Sequence, residues 1–336
     1  MSRFRLVWHR LGGQAHHDES LGGQPENGSI VPSTVTLSNT LPGLSVRYLP
    51  GDEGGRCDVF CPPDFPPPGF AALLGRLDNR SELSETRKHR DPGCPASGDA
   101  GLLWELYRAS GVDGFRDLTG LLAAVVADYT AQRIHFYRSH LVGRSLYYVV
   151  TREWLVVASE IQSVLRHSTV GSELDDSWLA NFFNFRAPPN ASTPYQAVRE
   201  LLPGELLSVT RSDRHIVREP STIGRRRIHF PSMDNYVERF DELVSRAVAR
   251  QAGDRPDIGI MLSGGLDSVP AAWWMHRHQG PMGRLAAYSW SLPGFPEANE
   301  TALIEQSAES IGIPLHLADC DDLWPLSEPE EMLLCA

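Results

Sequence analysis

The sequence predicts a two-domain chain: an α+β domain over residues 1–220, a linker over 221–232 and the first part of an α/β domain over 233–336. Three observations carry this. Short β-rich runs crowd residues 121–158. A long apolar stripe of helical period follows residue 233. Beyond residue 257, strand-like and helix-like segments alternate. With 336 residues, 41% of them hydrophobic, the chain has enough apolar surface for two cores.

In chain order, residues 4–8 form a short apolar stretch able to open a sheet, within a Gly-, Gln-, Ser- and His-rich first forty. The Pro-rich stretch 61–69 lacks ladder donors and reads as a loop. A strand over 70–77 and a short helix over 80–87 follow, then a loop over 88–98. Asp99 is expected to cap a helix reaching residue 109. The runs 121–128, 133–137, 145–150 and 154–158 read as one antiparallel meander. A helix over 176–185 and strands over 205–210 and 215–218 complete the first domain. After the polar linker, Tyr236, Val237, Phe240, Leu243, Val244, Ala247 and Val248 make one stripe of an amphipathic helix. The order is then strand 257–262, helix 268–277, strand 285–291, helix 300–311 and strand 314–317, the pattern of a parallel sheet with crossover helices.

Acidic residues outnumber basic ones by 42 to 31, a net charge of −11, so no basic surplus exists to neutralise nucleic-acid phosphates or anionic lipid. The longest apolar run, residues 121–127, is far short of the roughly 20 residues a membrane helix needs. The start, Met1-Ser2-Arg3-Phe4-Arg5, lacks the apolar core of a signal peptide, and a cytoplasmic protein is expected. Cysteines at 57, 61, 94, 320 and 335 are odd in number and irregular in spacing, which fits reduced thiols rather than a disulfide framework or a zinc site.

The sharpest chemical signal is an apolar strand running into Ser263-Gly264-Gly265-Leu266-Asp267-Ser268, with a helix opening at once. The glycines let the backbone approach an anion, and the new helix aims free N–H groups and its positive end at it. Ser263 and Ser268 add hydroxyl donors. Asp267 would repel a bare phosphate, so it calls for a bridging magnesium ion. The lysine of a Walker loop is missing.

This hexamer resembles the pyrophosphate loop of the ATP-pyrophosphatases, and the rest of the chain resembles the asparagine synthetase family. Gly75-Arg-Leu-Asp-Asn79 followed by Leu83, the segment Phe136 to Tyr148, Ala158-Ser-Glu160 and Leu202-Pro-Gly204 are similar to successive family segments, in order and spacing. The resemblance covers nearly all of residues 70–320. It implies an αββα N-terminal-nucleophile, glutaminase-like first domain and, second, an α/β ATP-pyrophosphatase-type (adenine-nucleotide α-hydrolase-like) domain present only in its first part.

By the same resemblance, Ser263, Gly264, Gly265, Leu266, Asp267 and Ser268 hold ATP's pyrophosphate, with Asp267 a magnesium ligand; Leu262 and Trp290 contact the adenosine. A carboxylate, of a small molecule or a peptide, attacks the α-phosphorus, and an amine takes the acyl-adenylate to an amide, releasing AMP and pyrophosphate. The glutaminase half departs from the pattern. Ser2 stands at the nucleophile position, Leu74-Gly75-Arg76 replaces the family's N-G-E, and Gly98-Asp99-Ala100-Gly101 replaces S-D-x-E. Gly75 and Asp99 remain as vestiges of a glutamine pocket whose amidase is expected to be lost. The amine is then expected to come from the substrate, as in β-lactam synthetases and lasso-peptide cyclases. The family's later acidic and lysine segments have no counterpart before residue 336, so a second polypeptide completing the synthetase domain is expected, or a truncated, non-catalytic pseudoenzyme or nucleotide-binding subunit. A true glutamine-hydrolysing asparagine synthase and a free-standing hydrolase using Ser2 remain as alternatives.

Overall fold

The computed structural model describes residues 4–9, 33–35, 44–48, 57–62, 68–90, 98–141, 144–187, 191–210, 213–218, 227–253, 255–280 and 283–322. The chain divides into two compact units, Met1–Arg226 and Arg227–Ala336. Ser2, Cys94, Cys335, the loop residues 91–97 and the linker residues 221–226 lie outside the described residues.

The first unit holds two antiparallel six-stranded sheets. The strands are β1 (Phe4–His9), β2 (Ser33–Val35), β3 (Leu44–Tyr48), β4 (Cys57–Phe60), β5 (Gly69–Gly75), β6 (Leu122–Asp128), β7 (Arg133–Arg138), β8 (Tyr147–Val150), β9 (Trp154–Ala158), β10 (Arg199–Glu200), β11 (Glu205–Thr210) and β12 (Arg214–Arg218). One sheet runs β10-β8-β9-β1-β3-β2, the other β12-β11-β7-β6-β5-β4. The helices are α1 (Arg80–Arg90), α2 (Gly98–Ser110), α3 (Ile161–Leu165) and α4 (Asp176–Phe183), with a 3-10 turn at Gly111–Asp117.

Strand periodicity builds three layers of core. Ala123, Val125 and Ala127 of β6 face the other sheet, where they meet Trp8, Leu155 and Val157. Ala124 and Val126 face the opposite way, against Leu103, Trp104 and Phe115. On the far sheet Val156 and Ala158 pack on Val164 of α3. Helix, sheet, sheet, helix is the αββα order of the N-terminal-nucleophile fold.

Three expectations are corrected. The meander over 121–158 is two hairpins, β6–β7 and β8–β9, in different sheets. β6, β7 and β9 bury both faces and β8 is largely half-buried, so periodicity marks each hairpin but not which sheet it joins. The helix after residue 80 continues to Arg90, where a loop was expected from residue 88. Asp99 does not cap α2; it lies in the first turn and pairs with Arg80 at 2.6 Å. The carboxylate at the start of α2 is that of Asp58 on β4, which accepts the Ala100 amide at 2.9 Å.

A buried polar chain ties α2 to the second sheet. The Tyr107 hydroxyl donates to Asp128 Oδ2 at 2.9 Å. His135 places Nε2 3.4 Å from that hydroxyl and Nδ1 2.7 Å from Ser208 Oγ. A tautomer protonated on Nε2 lets every proton point one way: Ser208 to His135, His135 to Tyr107, Tyr107 to Asp128. Burial, helped by the Arg133 charge, lowers the His135 pKa to about 4. Burial, then the bond to Asp128, pushes the Tyr107 phenol well above its ordinary range.

The second unit has α5 (Met233–Ala252), β13 (Asp257–Met261), α6 (Ser268–Gln279), β14 (Arg284–Ser291), α7 (Thr301–Ile311) and β15 (Leu315–Asp319). The three strands form one parallel sheet, β13-β14-β15. Ile258, Ile260, Leu285 and Ala287 turn to one face and are covered by Val269 and Ala272 of α6 and Ile304 and Ala308 of α7. On the opposite face Met261, Tyr288 and Trp290 are exposed, and Tyr288 stacks on His316 at 4.9 Å. The α5 stripe is less buried than its period predicts. Ser232 caps the helix, and Phe240 meets Trp274 edge-on, but Val237 and Phe240 stay exposed. An apolar stripe fixes a helix and its inner face; a cover must still be supplied, and among the described residues α6 covers only one flank. No helix among them is long and apolar enough to cross a membrane.

Candidate nucleotide site

The hexamer sits at the carboxyl edge of the parallel sheet. Leu262, only 1% exposed, donates its amide to the Tyr288 carbonyl at 3.0 Å and so ends the β13–β14 ladder. Ser263 follows, exposed, with its amide bonded to Ser268 Oγ at 3.1 Å and the two hydroxyl oxygens 3.0 Å apart. The first residue of α6 thereby folds back and closes the loop.

The two glycines have different reasons. Gly264 has φ +70°, and a Cβ there would stand 2.9 Å from Leu303 Cγ, so the fold itself demands glycine. Gly265 has no such demand. A Cβ there would meet nothing nearer than Ser263 Oγ at 3.5 Å, an ordinary contact. What a side chain at 265 would obstruct is the space above the loop. Leu266 is 94% exposed and Asp267 is exposed, its carboxylate making no cap to α6. Among the described residues, the amides of 264 to 268 donate to no protein acceptor. Pro270 falls in the first turn of α6, where a missing N–H costs nothing. Consecutive free amides at a helix N-terminus bind anions, and a free carboxylate beside them suits a divalent cation bound with the anion.

Next to the loop lies a cavity of about 170 Å³ between the ends of β13 and β14 and the start of α7. Leu262, Ile304 and Leu292 give it apolar walls; Ser289, Asn299 and Glu300 give polar ones. Trp290, 55% exposed, lines it and is not a core aromatic. The Tyr288 carbonyl faces β13 and the Ser291 carbonyl faces β15, so strand alternation turns the Trp290 main chain toward the side that β13 has vacated. There its amide and carbonyl find no main-chain partner among the described residues. Asn299 and Glu300 were not marked by any sequence signal: they are two polar residues in a loop, and only the fold brings them beside residue 262.

The structure thus gathers Leu262 to Ser268 and Trp290 at one edge. In the first unit the vestigial positions are occupied internally. Gly75 ends β5 with φ +103°, and a Cβ there would collide with the Leu121 carbonyl oxygen, so a backbone crossing explains this glycine. Arg76 pairs with Asp78 at 2.6 Å and Asp99 with Arg80. Leu74, where the resemblance would put an asparagine, is buried between the sheets. Asn79 accepts the Thr119 amide at 3.0 Å and donates to the Asp117 carbonyl at 2.8 Å, a structural clamp. Arg138 is buried against Glu200 and the Leu201 carbonyl. No group of three His, Cys, Asp or Glu able to hold a metal occurs among the described residues, and Cys61 and Cys320 are free.

Two family models match in tandem: glutamine amidotransferase domain over residues 70–219 and asparagine synthase over residues 239–322. In this tandem order of the two matches the chain is similar to the asparagine synthetases. Asparagine synthetase [glutamine-hydrolyzing] 3 of Bacillus subtilis is 22% identical over 277 residues, covering 79% of this chain and 44% of that protein. Amidase chry2 of Gibberella zeae is 26% identical over 244 residues, covering 67% of this chain and 35% of that one. The chain therefore spans less than half the length of these curated relatives. Among solved structures, the glutamine phosphoribosylpyrophosphate amidotransferase of B. subtilis aligns over 94% of this chain and 65% of its own, with 16% identity and a TM-score of 0.40.

Proposed function

We propose that the second unit binds MgATP and serves an ATP-dependent carbon–nitrogen ligase that activates a carboxylate as its acyl-adenylate. The observation that carries this is the row of free amides from 264 to 268 beside a cavity, with a glycine at 265 that the fold itself does not require. In this reading the amides and the Ser263 and Ser268 hydroxyls take the β- and γ-phosphates. Leu262 and Ile304 sandwich the adenine, and the unpaired amide and carbonyl of Trp290 read its N1 and N6. Magnesium, held by Asp267, would neutralise the phosphate oxygens and ease departure of pyrophosphate. The substrate carboxylate then attacks the α-phosphorus; an amine displaces AMP and leaves an amide.

The amine is borne by the substrate, a small molecule or a peptide, closing a lactam ring. Supporting this, Arg76 and Asp99 are engaged in ion pairs and Leu74 is buried, which leaves the glutamine pocket without its amide, its glutamate and a free aspartate. A second reading, a nucleotide-binding subunit completed by another polypeptide, is favoured by the exposed sheet face of Met261, Tyr288 and Trp290, since parallel sheets are covered on both faces. The free cysteines suit a cytoplasmic setting.

Calorimetric titration with MgATP tests the site. Asp267→Ala should weaken binding by about tenfold or more with an unchanged melting temperature, as expected for an exposed carboxylate that makes no cap. Equal binding by the variant removes Asp267 from the site. Carboxylate-dependent exchange of pyrophosphate into ATP would place adenylation in this chain alone; exchange seen only with an added polypeptide would support the subunit reading.

A further inference from the structure

We infer that Asp321 is a positioning residue for the nucleotide site, acting through the loop that walls the cavity; this rests on the nucleotide reading above. The loop joins β14 to α7 and carries Leu292, Ala298, Asn299 and Glu300 into the cavity lining. Among the described residues two tight turns shape it, Phe295 N–H to the Leu292 carbonyl and Ala298 N–H to the Phe295 carbonyl, both 2.9 Å. The attachment comes from the segment after β15. Cys320 donates its amide to the Ser291 carbonyl at 3.0 Å, and Asp321 Oδ2 accepts the Gly294 amide at 2.7 Å. The Asp321 amide bonds back to Asp319 Oδ1 at 3.1 Å, which fixes the carboxylate's own backbone.

Two features show that this contact is built rather than incidental. A Cβ at Gly294 would stand 2.9 Å from Asp321 Oδ2, so a side chain there would crowd the carboxylate. Asp321 Oδ1 is buried with no hydrogen-bond partner, so the carboxylate is held where part of its hydrogen-bonding capacity goes unused. Asp321 touches neither the hexamer nor the cavity, so its influence should reach the base and ribose end of a nucleotide and leave the phosphate end alone.

The test is calorimetry on the full chain with two probes, MgATP and magnesium pyrophosphate. Asp321→Ala should weaken ATP by about tenfold, the usual effect of losing a charge-assisted bond, while pyrophosphate affinity stays within about twofold. Asp321→Asn keeps an acceptor for Gly294 and should restore ATP affinity. Gly294→Ala, which leaves the carboxylate in place but crowds it, should reproduce the ATP-selective loss should Asp321→Ala prove insoluble. ATP binding by Asp321→Ala equal to wild type, or equal losses for both probes, overturns the inference. A wild-type chain that binds neither probe overturns the nucleotide reading itself, and this inference with it.

Discussion

The buried chain Ser208–His135–Tyr107–Asp128 makes the stability of the first unit acid-sensitive in a defined window. In the unfolded chain His135 takes a proton near pH 6.5, whereas in the fold its pKa is lowered to about 4. The unfolded state therefore binds the proton first as pH falls. Stability from this group is complete above about 6.5 and declines as pH drops from about 6.5 toward about 4. At pH 5, about 1.5 pH steps below the unfolded value at about 1.4 kcal/mol each, the loss approaches about 2 kcal/mol. Residual solvent access makes that an upper figure. The perturbation is His135→Gln, neutral at every pH and still able to bond Ser208 or Tyr107. Urea unfolding followed by tryptophan fluorescence at pH 7 and pH 5 gives the comparison. Wild type should lose up to about 2 kcal/mol more than the variant between these pH values, carboxylate contributions being common to both. Parallel losses would show that His135 is not held neutral by its burial, and the proton order drawn through Tyr107 to Asp128 would fall with it.

The paired glycines of the 263–268 turn should separate folding from the proposed binding. Gly264→Ala should lower stability by about 1–2 kcal/mol, because φ is positive and Leu303 is close, whereas Gly265→Ala should leave the melting temperature unchanged and weaken pyrophosphate binding about tenfold; a stable Gly264→Ala or a fully binding Gly265→Ala contradicts the assignment. Asn79→Ala should cost about 1–3 kcal/mol in urea unfolding, since the Thr119 amide and the Asp117 carbonyl lose their shared partner; a change under about 0.5 kcal/mol would mean that solvent takes over both groups.

What was readable in the residues follows from local physics. A β-rich run, a stripe of helical period and a strand–glycine–helix junction each report their own conformation within a few residues. The strands at 122–128, 154–158 and 205–210 and the helices from 233 and 268 therefore lie where pattern alone puts them. The loop at 263–268 was legible because a turn that frees amides needs glycine, and the need shows in the sequence. The same locality hides what depends on distant partners. Asp58 and Asp99 are both aspartates near one helix start, and only the fold puts the first on the Ala100 amide and the second on Arg80. Asn299, Glu300 and Asp321 carry no period and no motif. They matter because parallel pairing brings the ends of three strands, far apart in the chain, to one edge. The sequence by itself determined the two-part architecture and the strand–glycine–helix turn at 263–268, since both are set by neighbours in the chain. The assignment of each hairpin to a sheet, the walls of the cavity and the bare face of Met261, Tyr288 and Trp290 were decided by tertiary structure alone, because burial and pairing depend on which surfaces meet.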